Sequence, residues 1–500
     1  MPEEMNIIFI ITDQQRRDHL SCYGNTVLKT PYIDRIADDG IKFENYFCNT
    51  PICMPNRANF LTGAYPSVHG TRSNGINLDP EFPILSEILR KRGYYTISIG
   101  KNHCNFFSRP SKRGVHSDEN IIAWLHGDIS PDGLKFPWYG YDEVCMTVGH
   151  GDWMAGHYSE WLKEEGWDQH AYALKNPLSL NEYYYETEMP AEIYPTTYIT
   201  EKTVEFLKEY PSSENADNPF FLHCSFPDPH HPVCPPGKYK DLYSPKDIDL
   251  PANFNDAEDL LKHEYLGQYL KNPRFRQLLP QKISEEEAKK FLALTYGSIS
   301  MIDDGVGKIL DALNQSGMAE NTMVIFTSDH GDLGGDHGLI LKGPAHFQGI
   351  INMPLLWKIP GLTSEASYKH LISTIDLPKT ILNLLEIEKK YHSPYFQGYD
   401  FSPIFKDPKQ KLRDQVLIEQ DEEIDKDTVI RLRSLVTENH RLTIYDGNKN
   451  VGDIFNYRED PQEIDNLWDK NENLKNELVE RMLREIVKLR PRLPERTAYN

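Results

Sequence analysis

Five hundred residues, 39% of them apolar and 26% charged, with 28 Tyr, 21 Phe and 7 Trp, form a chain that can bury a sizeable core and is too apolar and aromatic to be disordered. A net charge of −21 opposes broad contact with nucleic acid or an anionic membrane, so an anionic substrate requires a local cluster of cations. No window approaches the roughly 18 apolar residues of a membrane span, no signal-like basic segment opens the chain, and the seven cysteines lack CxxC spacing, so the expectation is a cytoplasmic protein with reduced thiols.

In chain order, Asn6–Thr12 reads as a strand ending at Asp13 and Gln14. The segment Pro51 to Gly63 reads as a turn entering a short helix, with Pro55 suited to the first turn and Gly63 to the end. Cys53 then lies at the helix N-terminus, where backbone amides favour an anion, and Arg57 can return toward it. That reading leaves open a reactive thiol or a buried structural cysteine. Tyr95–Ile99 is a second strand, followed by Lys101 and His103.

Residues 105 to 200 are irregular and rich in Trp, Tyr, His, Gly and Asp, as in long excursions over a sheet. Trp124, His126, Trp138, His150, Trp153 and His157 belong to it; they are candidates to line a pocket, with exposed loop aromatics packing on the domain as the expectation. Phe220–Phe226 is a third strand, followed by Asp228, His230 and His231. Ser284 and Glu287 form a capping box that opens a helix to Leu313, with Phe291, Leu294, Ile302, Val306 and Leu310 on its apolar face. Thr322–Ser328 leads to Asp329, His330 and Asp332, and Pro354–Ile359 is a fifth strand.

Four of these strands end in reactive side chains, and in open α/β sheets ligands sit beyond the carboxyl ends of the strands. The expected architecture is therefore α/β, a large mostly parallel sheet sandwiched by helices over residues 1–385. Short strands at Val416–Glu419 and Leu442–Tyr445 and a charged helix near Glu472–Leu489 suggest a small α+β subdomain over residues 386–500.

Cys53-Met-Pro-Asn-Arg57, a helix ending in Thr62-Gly63, and Tyr65-Pro-Ser-Val-His-Gly70 together closely resemble the signature of the sulfatase family, with Asn56 where that family usually has Ser or Ala. The resemblance implies an alkaline-phosphatase-like fold and conversion of Cys53 to formylglycine by a formylglycine-generating or anaerobic sulfatase-maturating enzyme. In that family the hydrated aldehyde is a geminal diol: one hydroxyl attacks sulfur or phosphorus, and the other expels the bound ester. The opening strand, the block Ser328-Asp-His-Gly331 and the modified cysteine imply a metal site of Asp13, Gln14, Cys53, Asp329 and His330.

Oxygen donors with one imidazole suit a single divalent ion; the resemblance favours Ca2+, with Mn2+ or Mg2+ as alternatives. Gly100-Lys-Asn-His103 and Lys342 resemble the family's two lysine positions. Lys101, Lys342 and Arg57 would hold the ester's non-bridging oxygens, His103 would orient or deprotonate the diol, and His230 would serve the leaving oxygen. His231 is expected to be structural.

Gln397-Gly-Tyr-Asp-Phe-Ser-Pro403 and Asp453 to Leu467 resemble the family's C-terminal blocks and read as scaffold. The implied activity is hydrolysis of small anionic sulfate monoesters. Asp13-Gln14 also resembles phosphonate monoester hydrolases and choline sulfatases, so a phosphonate monoester or phosphodiester hydrolase is an alternative. A third is a non-catalytic anion-binding homologue that keeps Cys53 as a thiol.

Overall fold

The computed structural model describes residues 5–108, 110, 115–176, 183–271, 282–425, 428–447 and 451–490. Strand β1 (Asn6–Thr12) is buried along its whole length, as a strand covered on both faces must be. Its alternation divides the core: Ile7, Phe9 and Ile11 enter one apolar layer, and Ile8 and Ile10 the other.

Nine more strands join it: β2 (Ile41–Phe47), β3 (Tyr95–Gly100), β4 (Glu143–His150), β5 (Trp153–Gly156), β6 (Phe220–Ser225), β7 (Thr322–Ser328), β8 (Asn352–Met353), β9 (Leu355–Lys358) and β10 (Ala366–Ser373). Their order is β10-β2-β9-β7-β1-β6-β3-β4-β5, with β8 paired to β2. β1 runs parallel to β6 and β7, and β3 runs parallel to β6 and β4. β9 lies antiparallel between β7 and β2, and β5 is antiparallel to β4.

All five expected strands form. β2, β4, β5, β8 and β10 escaped the sequence reading; β2 escaped because Lys42, Glu44 and Asn45 interrupt its apolar positions. β4 and β5 correct the expectation that residues 105 to 200 are irregular throughout.

Helices α1 (Pro31–Asp38), α2 (Cys53–Thr62), α3 (Pro195–Glu209), α4 (Glu285–Gln315) and α5 (Asp376–Leu384) cover the sheet. Ile33 and Ile36 of α1, Ile199 and Leu207 of α3, and Ile302, Val306 and Ile309 of α4 pack with Ile8 and Ile10. Phe60 and Leu61 of α2 and Leu377 and Ile381 of α5 pack with the opposite layer. The capping box of α4 is present, Glu287 N–H donating to Ser284 Oγ at 3.3 Å and Ser284 N–H to Glu287 Oε2 at 3.1 Å. No helix among the described residues is long and apolar enough to cross a membrane.

Toward the C-terminus, β11 (Gln415–Asp425), β12 (Thr428–Thr437), β13 (His440–Tyr445) and β14 (Gly452–Asn456) form an antiparallel sheet in that order. Helix α6 (Glu472–Lys488) covers one face, where Leu478 and Met482 meet Leu417, Leu435, Leu442 and Ile454. The other face presents Val416, Ile418, Leu432 and Tyr445 to the core of the large sheet.

Arg413 ties the two sheets together: its Nη1 donates to Ser373 Oγ and to Asp376 Oδ2, each at 2.7 Å, with both charged side chains buried. Removing one partner of a buried pair strands the other's charge. Arg413→Met is therefore expected to lower unfolding free energy by about 3–5 kcal/mol, measured by urea denaturation; a loss below about 1 kcal/mol would show that Asp376 needs no cation.

Candidate active site

Backbone bonds continue past the strand ends and set the site residues side by side. Asp13 N–H donates to Asp228 O at 3.2 Å, Lys101 N–H to Ser225 O at 3.0 Å, and Asp329 N–H to Thr12 O at 3.1 Å. Gly100 makes the approach of β3 possible: its φ is +105°, and a Cβ there would lie 1.9 Å from Ser225 O. β2 ends on the same edge and leads, through a turn, into α2.

Cys53 is the first residue of α2 and is 1% exposed, and every residue of that helix is buried. Gly63 ends α2 in the left-handed conformation, its N–H donating to Asn59 O at 2.9 Å. The Asn56 amide donates to the backbone oxygen of Asp329, which links α2 to the end of β7.

Around Cys53 Sγ stand His330 Nε2 at 3.0 Å, Lys342 Nζ at 3.0 Å and Asp13 Oδ1 at 3.7 Å. One ligand atom from each of Asp13, Cys53, Asp329 and His330 lies within 4.8 Å of the others. His330 Nδ1 donates to Gly331 O at 2.9 Å, so its Nε2 keeps a lone pair for a metal, the second-contact arrangement that orients imidazole ligands. Gln14, with φ of +63°, presents Oε1 to Lys342 Nζ at 3.1 Å and fixes the other end of its amide by donating to Asp332 Oδ2 at 2.6 Å. Two carboxylates, an imidazole and an amide oxygen, buried together, fit the donor chemistry of one divalent ion.

Cations surround these donors. Arg57 Nε donates to Asp329 Oδ2 at 2.8 Å, and its Nη1 donates to Lys101 O and Ser225 Oγ, each at 2.8 Å. Lys101 Nζ donates to Asp13 Oδ2. Burial opposes ionisation of Asp13, but Lys101, Arg57 and Lys342 outweigh it and hold its carboxyl well below the usual range. Burial and the Asp13 charge push the Cys53 thiol up to about 11, so at neutral pH the unmodified side chain is a thiol, not a thiolate. Burial also lowers the pKa of His330, helped by Lys342.

His230 donates from Nδ1 to His231 O, and its Nε2 faces Lys342 Nζ at 3.2 Å. His103 stands apart from this network: its ring stacks on Phe107 at 4.0 Å, its N–H donates to Glu119 Oε1, and no hydrogen bond to Cys53 forms. Cys53, Arg57, Lys101, His230, Lys342, Asp13, Gln14, Asp329 and His330 are thus linked by short contacts, with His103 beside them.

Sequence reasoning named His150 as a candidate pocket residue without assigning it to this cluster. It closes β4, its Nε2 lies 2.7 Å from Lys101 Nζ, and its ring stacks on His230 at 3.8 Å, which corrects the expectation that it packs on the domain surface. The signal was available, since a strand ending in Gly149-His150 obeys the same rule that found the other ends. His231 also enters the cluster, its Nδ1 lying 3.1 Å from Gln14 Nε2. Trp124 and Trp138 pack on the domain but are buried rather than exposed.

A buried set of acidic donors ringed by cations at the carboxyl ends of parallel strands is the chemistry of a hydrolase of anionic esters. The chain belongs to the sulfatase family: the sulfatase family model matches residues 5–387, and the model for the C-terminal part of N-sulphoglucosamine sulphohydrolases matches residues 335–492. It is 28% identical over 486 residues to the arylsulfatase of Clostridium perfringens, covering 93% of this chain and 91% of that one. It is 29% identical to a multifunctional alkaline phosphatase superfamily protein of Trinickia caryophylli, over 76% of this chain and 73% of the relative.

Among solved structures, the phosphonate monoester hydrolase of Agrobacterium radiobacter superposes with a TM-score of 0.78 at 23% identity, covering 97% of this chain and 96% of that one, a likeness of fold. The protein is therefore a sulfuric ester hydrolase with the mostly parallel, helix-sandwiched sheet expected of that family.

Glu119 accepts the N–H groups of His103 and Asn105 while fully buried, and burial raises its carboxyl to about 7 despite those donors. Its folded pKa lies above its unfolded value, so this contribution to stability is full below about pH 4 and is lost as pH rises through about 7. Thermal midpoints from pH 5 to pH 8 are expected to fall less steeply in Glu119→Gln than in the parent, even though the variant is less stable throughout. Parallel curves would show that Glu119 is ionised across that range.

Proposed function

We propose that the protein hydrolyses sulfate monoesters through formylglycine made from Cys53 and one divalent ion, Ca2+ by preference, held by Asp13, Gln14, residue 53, Asp329 and His330. The observation that carries this reading is the placement of Cys53 Sγ inside the donor cluster, in contact with both His330 and Lys342. A side chain meant only to pack would not be set among this many ionised groups. At 1% exposure Cys53 is inaccessible in the folded chain, so an oxidising maturation enzyme must reach it before the fold closes.

Bound at these donors, the ion would acidify the attacking hydroxyl and draw charge from the ester oxygens. Arg57 orients Asp329 through Nε and braces the end of β6 through Ser225. Lys342, in contact with residue 53, and Lys101, in contact with Asp13, hold the non-bridging oxygens where negative charge grows. Lys101, Arg57 and Lys342 offset the charge of Asp13 and Asp329, which lets an ester anion approach despite the chain's net charge of −21. His230 Nε2 faces a Lys342 N–H, so this pair supplies the proton for the departing oxygen. His150, stacked on His230 and accepting from Lys101, holds both in place.

Gln14 in place of a second acidic residue favours, as a second reading, a phosphonate monoester or phosphodiester hydrolase. Turnover of an aryl sulfate, a phenyl phosphonate monoester and a phosphodiester separates the two; we expect the sulfate to be preferred, and preference for either of the others would overturn the sulfatase reading. In protein from the native host, mass spectrometry of the peptide carrying residue 53 should show the thiol replaced by an aldehyde, whereas an unmodified thiol with no hydrolysis would favour an anion-binding homologue. Cys53→Ala should lower kcat/KM by about a thousandfold or more, and Lys101→Ala by roughly a hundred- to a thousandfold. Prolonged chelation should abolish turnover, and Ca2+ should restore it better than Mg2+.

A further inference from the structure

Strand β11 of the second sheet carries Glu419, Asp421, Glu422 and Glu423, and arginines hold three of them. Arg433 reaches Glu419 at 3.5 Å and Asp421 at 2.8 Å, Arg431 reaches Asp421 at 3.1 Å, and Arg72 pairs with Glu423. Glu422, half-buried, has no ion-pair partner among the described residues; its Oε2 accepts one hydrogen bond, from Gln420 Nε2 at 3.3 Å. Carboxylates withdrawn from water are ordinarily paired, so this one is free to take a cation from outside the chain.

The pleat of the strand says where Glu422 points. Val416 and Ile418 enter the core of the large sheet, whereas Leu417 enters the layer under helix α6. Side chains alternate along a strand, so Gln420 and Glu422 continue the row that faces the large sheet. Gln420 does so: its Oε1 meets Nε2 of His346, in the segment that follows Lys342, at 3.1 Å. The same stretch of β11 is pinned beside Cys53. Glu423 N–H donates to Ser73 Oγ at 3.2 Å, and the neighbouring Asn74 accepts the N–H of Met54 at 3.2 Å. Burial raises the Glu422 carboxyl, while Lys342, the Gln420 amide and His330 pull against that, so the catalytic cluster lies within its electrostatic reach.

Cys53, Arg57 and Lys101 are buried, whereas Lys342 is only half-buried. An ester whose sulfate lies against residue 53 therefore directs its alcohol part outward past Lys342, toward Glu422. Resting on the sulfatase reading, we propose that Glu422 is a specificity-determining residue that receives an ammonium group on the alcohol part of the ester. The preferred substrates are then amine-bearing sulfate monoesters, and esters with a second anionic group are rejected. One carboxylate does both, since the oxygen that accepts an ammonium N–H sets a like charge against a carboxylate or a second sulfate.

The test compares kcat/KM at neutral pH for three phenyl sulfates with a para aminomethyl, acetamidomethyl or carboxymethyl group, on the full-length protein, Glu422→Gln and Glu422→Lys. The parent should prefer the aminomethyl over the carboxymethyl ester by roughly tenfold or more, with the neutral ester between them, and less so at high salt. Glu422→Gln should bring the ratio close to one, and Glu422→Lys should invert it. Inversion is the discriminating result, because a merely damaged fold lowers all three rates together.

A parental ratio near one, or an unchanged ratio in folded variants, overturns the proposal. The benzenesulfonates with the same substituents cannot be hydrolysed, and their affinities by calorimetry separate this failure from that of the sulfatase reading. Charge preference in binding without turnover of any sulfate discards the sulfatase reading and keeps the role of Glu422; neither preference nor turnover discards both. If neither variant folds, crystals of the parent with the aminomethyl sulfonate decide: the amine against Glu422 supports the assignment, and the amine elsewhere refutes it.

Discussion

Everything around the catalytic cluster depends on keeping the Asp13 carboxylate charged while it is wholly buried at the end of the central strand. An isolated buried carboxylate would take up a proton, because burial disfavours the charged form. Lys101 from the end of β3, Arg57 from α2 and Lys342 from the loop after β7 prevent this by converging on one point. Each cation in turn needs the carboxylates to justify its own burial, so the elements carrying them must dock together. The charge cluster thereby fixes the relative positions of three strands and one helix.

Parallel strands make this convergence possible. β1, β3, β6 and β7 point the same way, and backbone bonds continue past their ends, so Asp13, Lys101, Asp228 and Asp329 share one edge. The histidines are then set by local bonds. Gly331 O fixes the tautomer of His330 and His231 O that of His230, which turns both Nε2 atoms toward Lys342. A site with these tautomers can take a metal on one imidazole and exchange a proton through the other.

The second sheet is no detached appendage. One of its faces completes the core of the large sheet, and buried polar links cross the junction: the ion pair of Arg413 with Asp376, and the Gln348 N–H donating at 2.7 Å to Oε2 of Glu463, which Arg441 holds from within the second sheet. Such links specify how two surfaces must sit, since any other docking leaves a charge unpaired.

The sequence alone determined the strands with continuous apolar runs, the capped helix α4, the turn-and-helix setting of Cys53 and most of the residues around it. These features are local, written in periodicity, caps and the polar residues that follow a buried strand. Tertiary structure decided the rest. β2 and β10 are strands through partners distant in sequence, and their mixed polarity hides them from any local pattern. His150 became a neighbour of Lys101 and His230 only because β4 pairs in parallel beside β3, a register set by contacts that no short window contains. Asn56 likewise gained a role only through the docking of α2 against the end of β7, where its amide meets Asp329 O. Whether a polar residue at a strand end faces solvent or a buried charge depends on which strand lies next to it, and only the folded chain settles that.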